Sequence, residues 1–391
     1  MVKGTQDKLH ICLNMVSDPT WSGGVLYIQN LVKAIACLPI AERQNIKLSL
    51  AVAKSNRTLA DPIHNQVDRV YADGFLETSY LKACKVLAAY APFVPIKFLN
   101  PRSCDFIYPH CARTKAPYKW GGWIPDFQHY HLPQLFSPQE IARRNVDAKK
   151  LADAAPVIVL SSQMAQTDFC NAYPYACDRS TVINFSSSFN SEWFETDPLI
   201  IQSKYNLPNH FFLVSNQFWQ HKDHIVIIEA LNILKQRKIY PIVVCTGGLI
   251  DDRNPQYFPK LQALIENLQL VNQIKILGLI PRIDQIQLMR RCIAVIQPSL
   301  FEGWSTVVED ARTLGKPILV SDFPVHLEQT PPYAHFFERR NAEELAELMS
   351  KSFSSLKPGP HTQVENLARQ ENQERVIAYG RKFLKIVNNI V

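Results

Sequence analysis

Residues 299 to 328, SLFEGWSTVVEDARTLGKPILVSDFPVHLE, set acids, small residues and backbone amides around one expected strand-to-helix turn. A helix start leaves about four N–H groups without intrahelical partners and carries a partial positive charge, so Trp304, Ser305 and Thr306 can offer amides to a phosphate or sugar oxygen. Gly303 lets a ligand come close to the backbone. Glu302 stands before the helix and Asp310 eight residues on, and carboxylates so placed can accept hydrogen bonds from vicinal hydroxyls of a sugar or ribose. Glu309 should point elsewhere. As isolated residues, the two acids read equally well as dipole compensation and a solvated helix acid.

Three other segments carry residues of the same kind. After the apolar run FFLVSN comes QFWQHKDH, in which Lys222 immediately precedes an expected helix. The helix dipole disfavours a lysine there, so its presence suggests a bound anion, and His221 and His224 beside it could add donors. Near the amino terminus, SDPTWSGG leads into Val25, Ile28, Leu31, Val32 and Ile35, one face of a helix, so Gly23 and Gly24 sit at a strand-to-helix turn where amides could meet a diphosphate. The stretch GGWIPDFQHYHLPQLFS (121 to 137) gathers aromatics with Asp126, His129 and His131, while Arg113, Lys115 and Lys119 just upstream offer charge to an anionic acceptor or to solvent.

These residues need a scaffold of alternating strands and helices. Short apolar runs (LHICLNMV, IKLSLAV, DFIYP, PVIVL and TVINF, then FFLVSN, YPIVVCTG, IKILG, CIAVIQ and PILVS) alternate with amphipathic stretches, the pattern of βαβ units and parallel sheets. The acid turn should therefore join a strand at Cys292 to Gln297 to a helix at Val307 to Leu314 that Gly315 stops. Residues 186 to 210 are polar and interrupted by Pro198, which suits an interdomain crossing, and helical periodicity returns from about Val364 to Val391.

With 391 residues, 47% apolar and 20% charged, the chain has room for two globular domains. Nine scattered cysteines without a CxxC pair point to reduced thiols in a cytosol. No run approaches the roughly 18 apolar residues of a membrane span, and MVKGTQDKLHICLNMV reads as a lead into a strand. The expectation is a cytoplasmic protein. A formal charge of +7 fits an anionic substrate or loose attachment to an acidic membrane face, with no nucleic-acid motif present; Arg143, Arg144, Lys149 and Lys150 along one helix read as a solvated face before a membrane patch. No two aspartates are separated by a single residue, so no Asp-x-Asp metal motif is present.

The segment FEGWSTVVEDA resembles the Glu-x7-Glu motif of retaining glycosyltransferases with the GT-B architecture, in the subgroup that reads FEGWSTVVEEA; Asp310 is a departure one methylene shorter. The resemblance covers most of the chain and is strongest over 211 to 330. It implies an α/β fold of two Rossmann-like domains facing across a cleft: residues 1–190 on the acceptor side, 191–361 for the donor, and 362–391 as a helix returning to the first domain. It implies an enzyme moving a hexose from a nucleotide diphosphate sugar to an acceptor hydroxyl with retention, by same-face attack, without a metal or bound cofactor. The acceptor, whether glycan, lipid-linked or small molecule, is not readable. In that reading Glu302 orients the sugar, Asp310 accepts from the ribose, and LGLIPR (277 to 282), with Leu279 at its centre, offers backbone edges to the base. Lys222 neutralises the leaving diphosphate, aided by the amides of Gly303, Trp304, Ser305 and Thr306 and by the Gly23–Gly24 loop. Gln217 stands where many members carry an arginine, leaving Arg282 and Arg253 as replacements. Asp126 matches the acid of a His-Asp pair at the transferred sugar, Pro125 takes the histidine position, and His129 is its substitute. Two alternatives accompany this reading: a nucleotide-sugar epimerase and a non-catalytic glycosyltransferase-like partner subunit.

Overall fold

The computed structural model describes residues 8–16, 18, 21–72, 104–111 and 118–391. Arg113 and Lys115, expected near an acceptor, lie outside them. The chain divides into two compact units, residues 1–127, 142–188 and 374–391 in one, and residues 128–141 and 189–373 in the other.

In the first unit, β1 (Leu9–Asn14), β2 (Ile46–Ala51), β3 (Arg69–Tyr71), β4 (Phe106–Tyr108) and β5 (Lys119–Trp120) form a parallel sheet in the order β3-β2-β1-β4-β5. A second parallel sheet joins β6 (Gly122–Ile124), β7 (Ile158–Leu160) and β8 (Ser180–Val182). Strands buried on both faces need continuous apolar runs, as IVL in β7 is, while β1 carries one buried polar residue, His10, whose Nε2 lies 2.8 Å from Ser49 Oγ. Between β1 and β2 lies α1 (Ser22–Ala36), whose stripe Val25, Ile28, Leu31, Val32 and Ile35 is buried as its spacing requires. The helix α2 (Pro138–Ala154) starts in the second unit and runs into the first, and its basic face is exposed, with Lys149 paired to Asp153 at 2.6 Å and Lys150 to Asp147 at 2.8 Å. A solvated, self-neutralised face is what the structure supports there.

The expectation of reduced thiols fails at one pair. Cys170 and Cys177 form a disulfide with Cα atoms 4.8 Å apart, because the helix Gln163–Ala172 turns directly into a short 3-10 run at Pro174–Arg179. A seven-residue spacing carries no sequence signature of such a bridge.

The second unit holds one six-stranded parallel sheet: β9 (Phe212–Ser215), β10 (Val243–Thr246), β11 (Ile274–Gly278), β12 (Val295–Gln297), β13 (Ile318–Ser321) and β14 (Ala334–Phe337), ordered β11-β10-β9-β12-β13-β14. Counted from β9, that is the 3-2-1-4-5-6 order of a dinucleotide-type fold, and the chain reverses its direction of travel between β9 and β12. In sheets of this order, ligands bind outside the carboxyl ends of the strands at that reversal. Helices α3 (His224–Gln236), α4 (Arg282–Arg291), α5 (Thr306–Thr313) and α6 (Pro324–Gln329) follow β9, β11, β12 and β13. Gly315 ends α5 at φ +59°, and a Cβ there would lie 2.6 Å from Val364 on the final helix α7 (Thr362–Asn388), so both backbone and packing demand glycine. The last part of α7 belongs to the first unit, where Phe383 packs at 5.1 Å from Tyr108 and 6.3 Å from Phe106.

Candidate functional site

The switch point of the second sheet brings together residues 80 positions apart. The chain leaves β9 through a 3-10 turn at Gln220–Lys222 and enters α3 at Asp223, whose φ of 50° and ψ of 49° place it in the left-handed region that aspartate tolerates better than most residues. That reversal turns Lys222 toward β12. Leaving β12, the acid turn is stitched to the same loop by the Leu300 amide, which donates to the His221 carbonyl at 2.8 Å. Lys222 Nζ and Glu302 Oε1 meet at 2.6 Å, with side chains only 13% and 10% exposed.

Gln297, the last residue of β12, organises the pair. Its Oε1 accepts from Asn216 Nδ2 at 2.8 Å, which turns Nε2 toward Glu302 Oε1 at 2.8 Å and toward the hydroxyls of Ser299 and Ser305, each at 3.1 Å. Sequence reasoning passed over Gln297 as part of an apolar strand, although a polar residue closing a buried strand was the available signal. Glu302 Oε2 carries no partner among the described residues, and the Lys222 ammonium has donors to spare beyond Glu302. An anion could meet the lysine while hydroxyls meet the free carboxylate oxygen.

The remaining expected residues divide. Leu279 is 80% exposed after Gly278 at φ +68°, so the backbone of this loop is accessible to a ligand. Gly303, Trp304 and Thr306 are partly exposed at the acid turn. Ser305 is different: its amide donates to Gln329 Oε1 at 3.1 Å and its hydroxyl caps α5 by accepting from the Val308 amide at 3.4 Å, so it has no amide to give a ligand. Asp310 is 1% exposed and paired with Arg282 Nη2 at 2.6 Å, where an open ribose acceptor was expected. Its partner Arg282 is one-third exposed and also donates to Gln285 Oε1 at 2.6 Å. Gln217 accepts from the Gly248 amide through its side-chain oxygen at 3.0 Å. Arg253 lies close to the lysine loop: its guanidinium is 3.3 Å from His221 Nδ1 and 3.1 Å from Gln128 Oε1, between the rings of Phe136 and Trp219.

Burial shapes the flanking titratable groups. It pushes the Asp223 carboxyl up to about 6, against the pull of Arg340, and holds the His224 imidazole down at about 3, helped by Lys222. His224 is thus a neutral ring stacked on Phe218 at 4.2 Å, a core residue and no anion ligand. His131 lies 5.4 Å from the Phe301 ring, in the excursion 128–141 that packs with the second unit. His129 is in that excursion too, buried against Tyr130 and Phe136, whereas Asp126 falls in the first unit and faces Arg144 at 3.8 Å. The two therefore belong to separate units.

In the first unit, the glycine pair forms the first turn of α1, and the amides of Gly24 and Val25 both go to the Trp21 carbonyl, at 3.1 and 3.2 Å. A Cβ on Gly24 would lie 2.6 Å from the Trp21 indole, which stacks on Trp123 at 5.4 Å, itself stacked on Tyr27 at 4.0 Å. Gly24 makes room for an aromatic stack, so Gly23 is the residue of the pair whose amide is left for a ligand.

Residues 198–382, which contain the Lys222–Glu302 pair, match the family of group 1 glycosyl transferases. Residues 198–382 belong to that family. The chain shares its fold with solved structures across nearly its whole length. HepE of Anabaena, determined in complex with UDP and glucose, is 17% identical with a TM-score of 0.67, covering 98% of this chain and 100% of that one. A glycosyltransferase from Rickettsia africae is 18% identical with a TM-score of 0.64, covering 98% and 99%, and sucrose-phosphate synthase from Thermosynechococcus elongatus is 14% identical with a TM-score of 0.62, covering 98% and 97%. The fold of the chain is thus the GT-B fold, α/β with parallel sheets.

Proposed function

We propose that this glycosyltransferase moves a hexose from a UDP-sugar to an acceptor hydroxyl, with retention and without a divalent metal. The observation that carries the reading is the Lys222–Glu302 pair at the carboxyl ends of β9 and β12. Its geometry suits a donor whose diphosphate lies against the ammonium while a sugar hydroxyl meets Glu302 Oε2. Charge on the leaving diphosphate grows as the glycosidic bond breaks, so a cation preset in a shielded site favours the transition state over the ground state. Lys222 supplies that charge, with Arg253 a second cation near its loop, which fits a sequence lacking an Asp-x-Asp motif. The exposed Leu279 loop would take the base. UDP is the preferred nucleotide because structures sharing the fold hold UDP with glucose or UDP-glucose.

The test is transfer from UDP-glucose to a panel of simple glycosides in excess EDTA, with the coupling constant of the new anomeric proton read by NMR. Transfer that persists in EDTA and yields the donor's anomeric configuration is expected. Activity abolished by EDTA and restored by magnesium or manganese, or an inverted product, would overturn the mechanism.

A further inference from the structure

Two side chains of α6, three residues apart on one helix face, reach the acid turn. Gln329 closes on Ser305 from both sides, Oε1 accepting from its amide at 3.1 Å and Nε2 donating to its carbonyl at 3.0 Å, and Nε2 also meets Glu309 Oε1 at 3.1 Å. His326 is wholly buried, its Nδ1 3.0 Å from Ser321 Oγ and 3.1 Å from the Ser321 carbonyl. Ser321 Oγ lies 2.7 Å from the Ser299 carbonyl, which can only accept, so the hydroxyl proton is spent there and His326 finds a lone pair. Both neighbours of Nδ1 are acceptors, so Nδ1 carries the proton, and burial keeps the ring neutral down to about 4.

We infer that Gln329 and His326 are positioning residues for Glu302, pinning Ser305 and Ser299, the two serines whose hydroxyls share the Gln297 amide with the Glu302 carboxylate. One NH2 group with two protons faces three acceptors, so a shift of either serine rotates Gln297 and moves Glu302 with it. This rests on the transferase reading above, in which Glu302 orients the sugar.

The test compares His326→Leu, His326→Asn and Gln329→Leu in the full chain, using UDP release from UDP-glucose, UDP affinity by calorimetry and amide exchange over residues 299 to 308. Misplacement of about 1 Å at a reacting centre costs about a hundredfold, so a fraction of that shift should lower kcat about tenfold in both leucine variants. UDP affinity should stay within about twofold, His326→Asn, which can still donate near the Nδ1 position, should recover most of the loss, and the Ser305 amide should exchange faster in Gln329→Leu. Leucine variants with wild-type kcat, an asparagine variant no better than leucine, or unchanged exchange at Ser305 would each overturn the inference. Wild-type protein that neither binds UDP nor releases it from UDP-glucose would overturn the transferase reading instead, and the exchange measurement would still decide whether α6 holds the turn.

Discussion

Replacing Lys222 by methionine removes one charge from a pair whose atoms are 2.6 Å apart and whose partner, Glu302, is almost fully withdrawn from water. At an effective dielectric constant of about 20 the attraction over that distance is about 6 kcal/mol, offset by the cost of burying both ions, so the pair as a whole contributes little to stability. Its halves behave differently. Lys222→Met strands a buried carboxylate and should lower the unfolding free energy by about 3 kcal/mol, the low end of the range for broken buried pairs because Glu302 keeps the Gln297 amide. The double variant Lys222→Met, Glu302→Gln removes the stranded charge and should return to within about 1 kcal/mol of wild type. Turnover should not return with it. A charge acting on the leaving diphosphate is worth about 10²- to 10³-fold in kcat, and both the single and double variants lack it. Urea titrations and UDP release from UDP-glucose measure the two quantities. The reasoning fails if Lys222→Met stays within about twofold of wild-type turnover, or if the double variant regains activity along with stability.

Two further outcomes follow from the same region. Because Asp310 is held by Arg282, Asp310→Ala and Arg282→Ala should weaken UDP binding by similar factors and the double variant by little more, while Glu302→Ala spares UDP binding and impairs transfer; calorimetry showing independent, additive losses would mean that Asp310 meets the ribose without Arg282. Asp223 has its folded pKa raised to about 6 from the usual carboxylate value, so the folded state holds a proton that the unfolded state gives up, and its contribution declines as pH rises from about 4 through 6. Asp223→Asn keeps a residue that tolerates the left-handed backbone and should be more stable than wild type at pH 7, by up to about 3 kcal/mol, with the two converging near pH 4; denaturation midpoints that do not separate with pH would refute this.

Ten apolar runs each became a parallel strand, and the α1 stripe was buried as spaced, because local periodicity and β-branched composition bind these elements to their environment. The strands outside those runs, β3, β5, β6 and β14, are two to four residues long. Glu302 and Lys222 were legible singly, from an acid and a lysine beside helix starts. Their meeting was decided by strand order, since only the placement of β12 beside β9 brings residues 80 positions apart within 2.6 Å. Tertiary packing likewise occupied the Ser305 amide, through Gln329, 24 positions away. Sequence by itself determined which residues have donors, acceptors and charge at the ends of strands. Which of those groups remain available depends on whether another buried group has already satisfied them, and only the three-dimensional arrangement sets that.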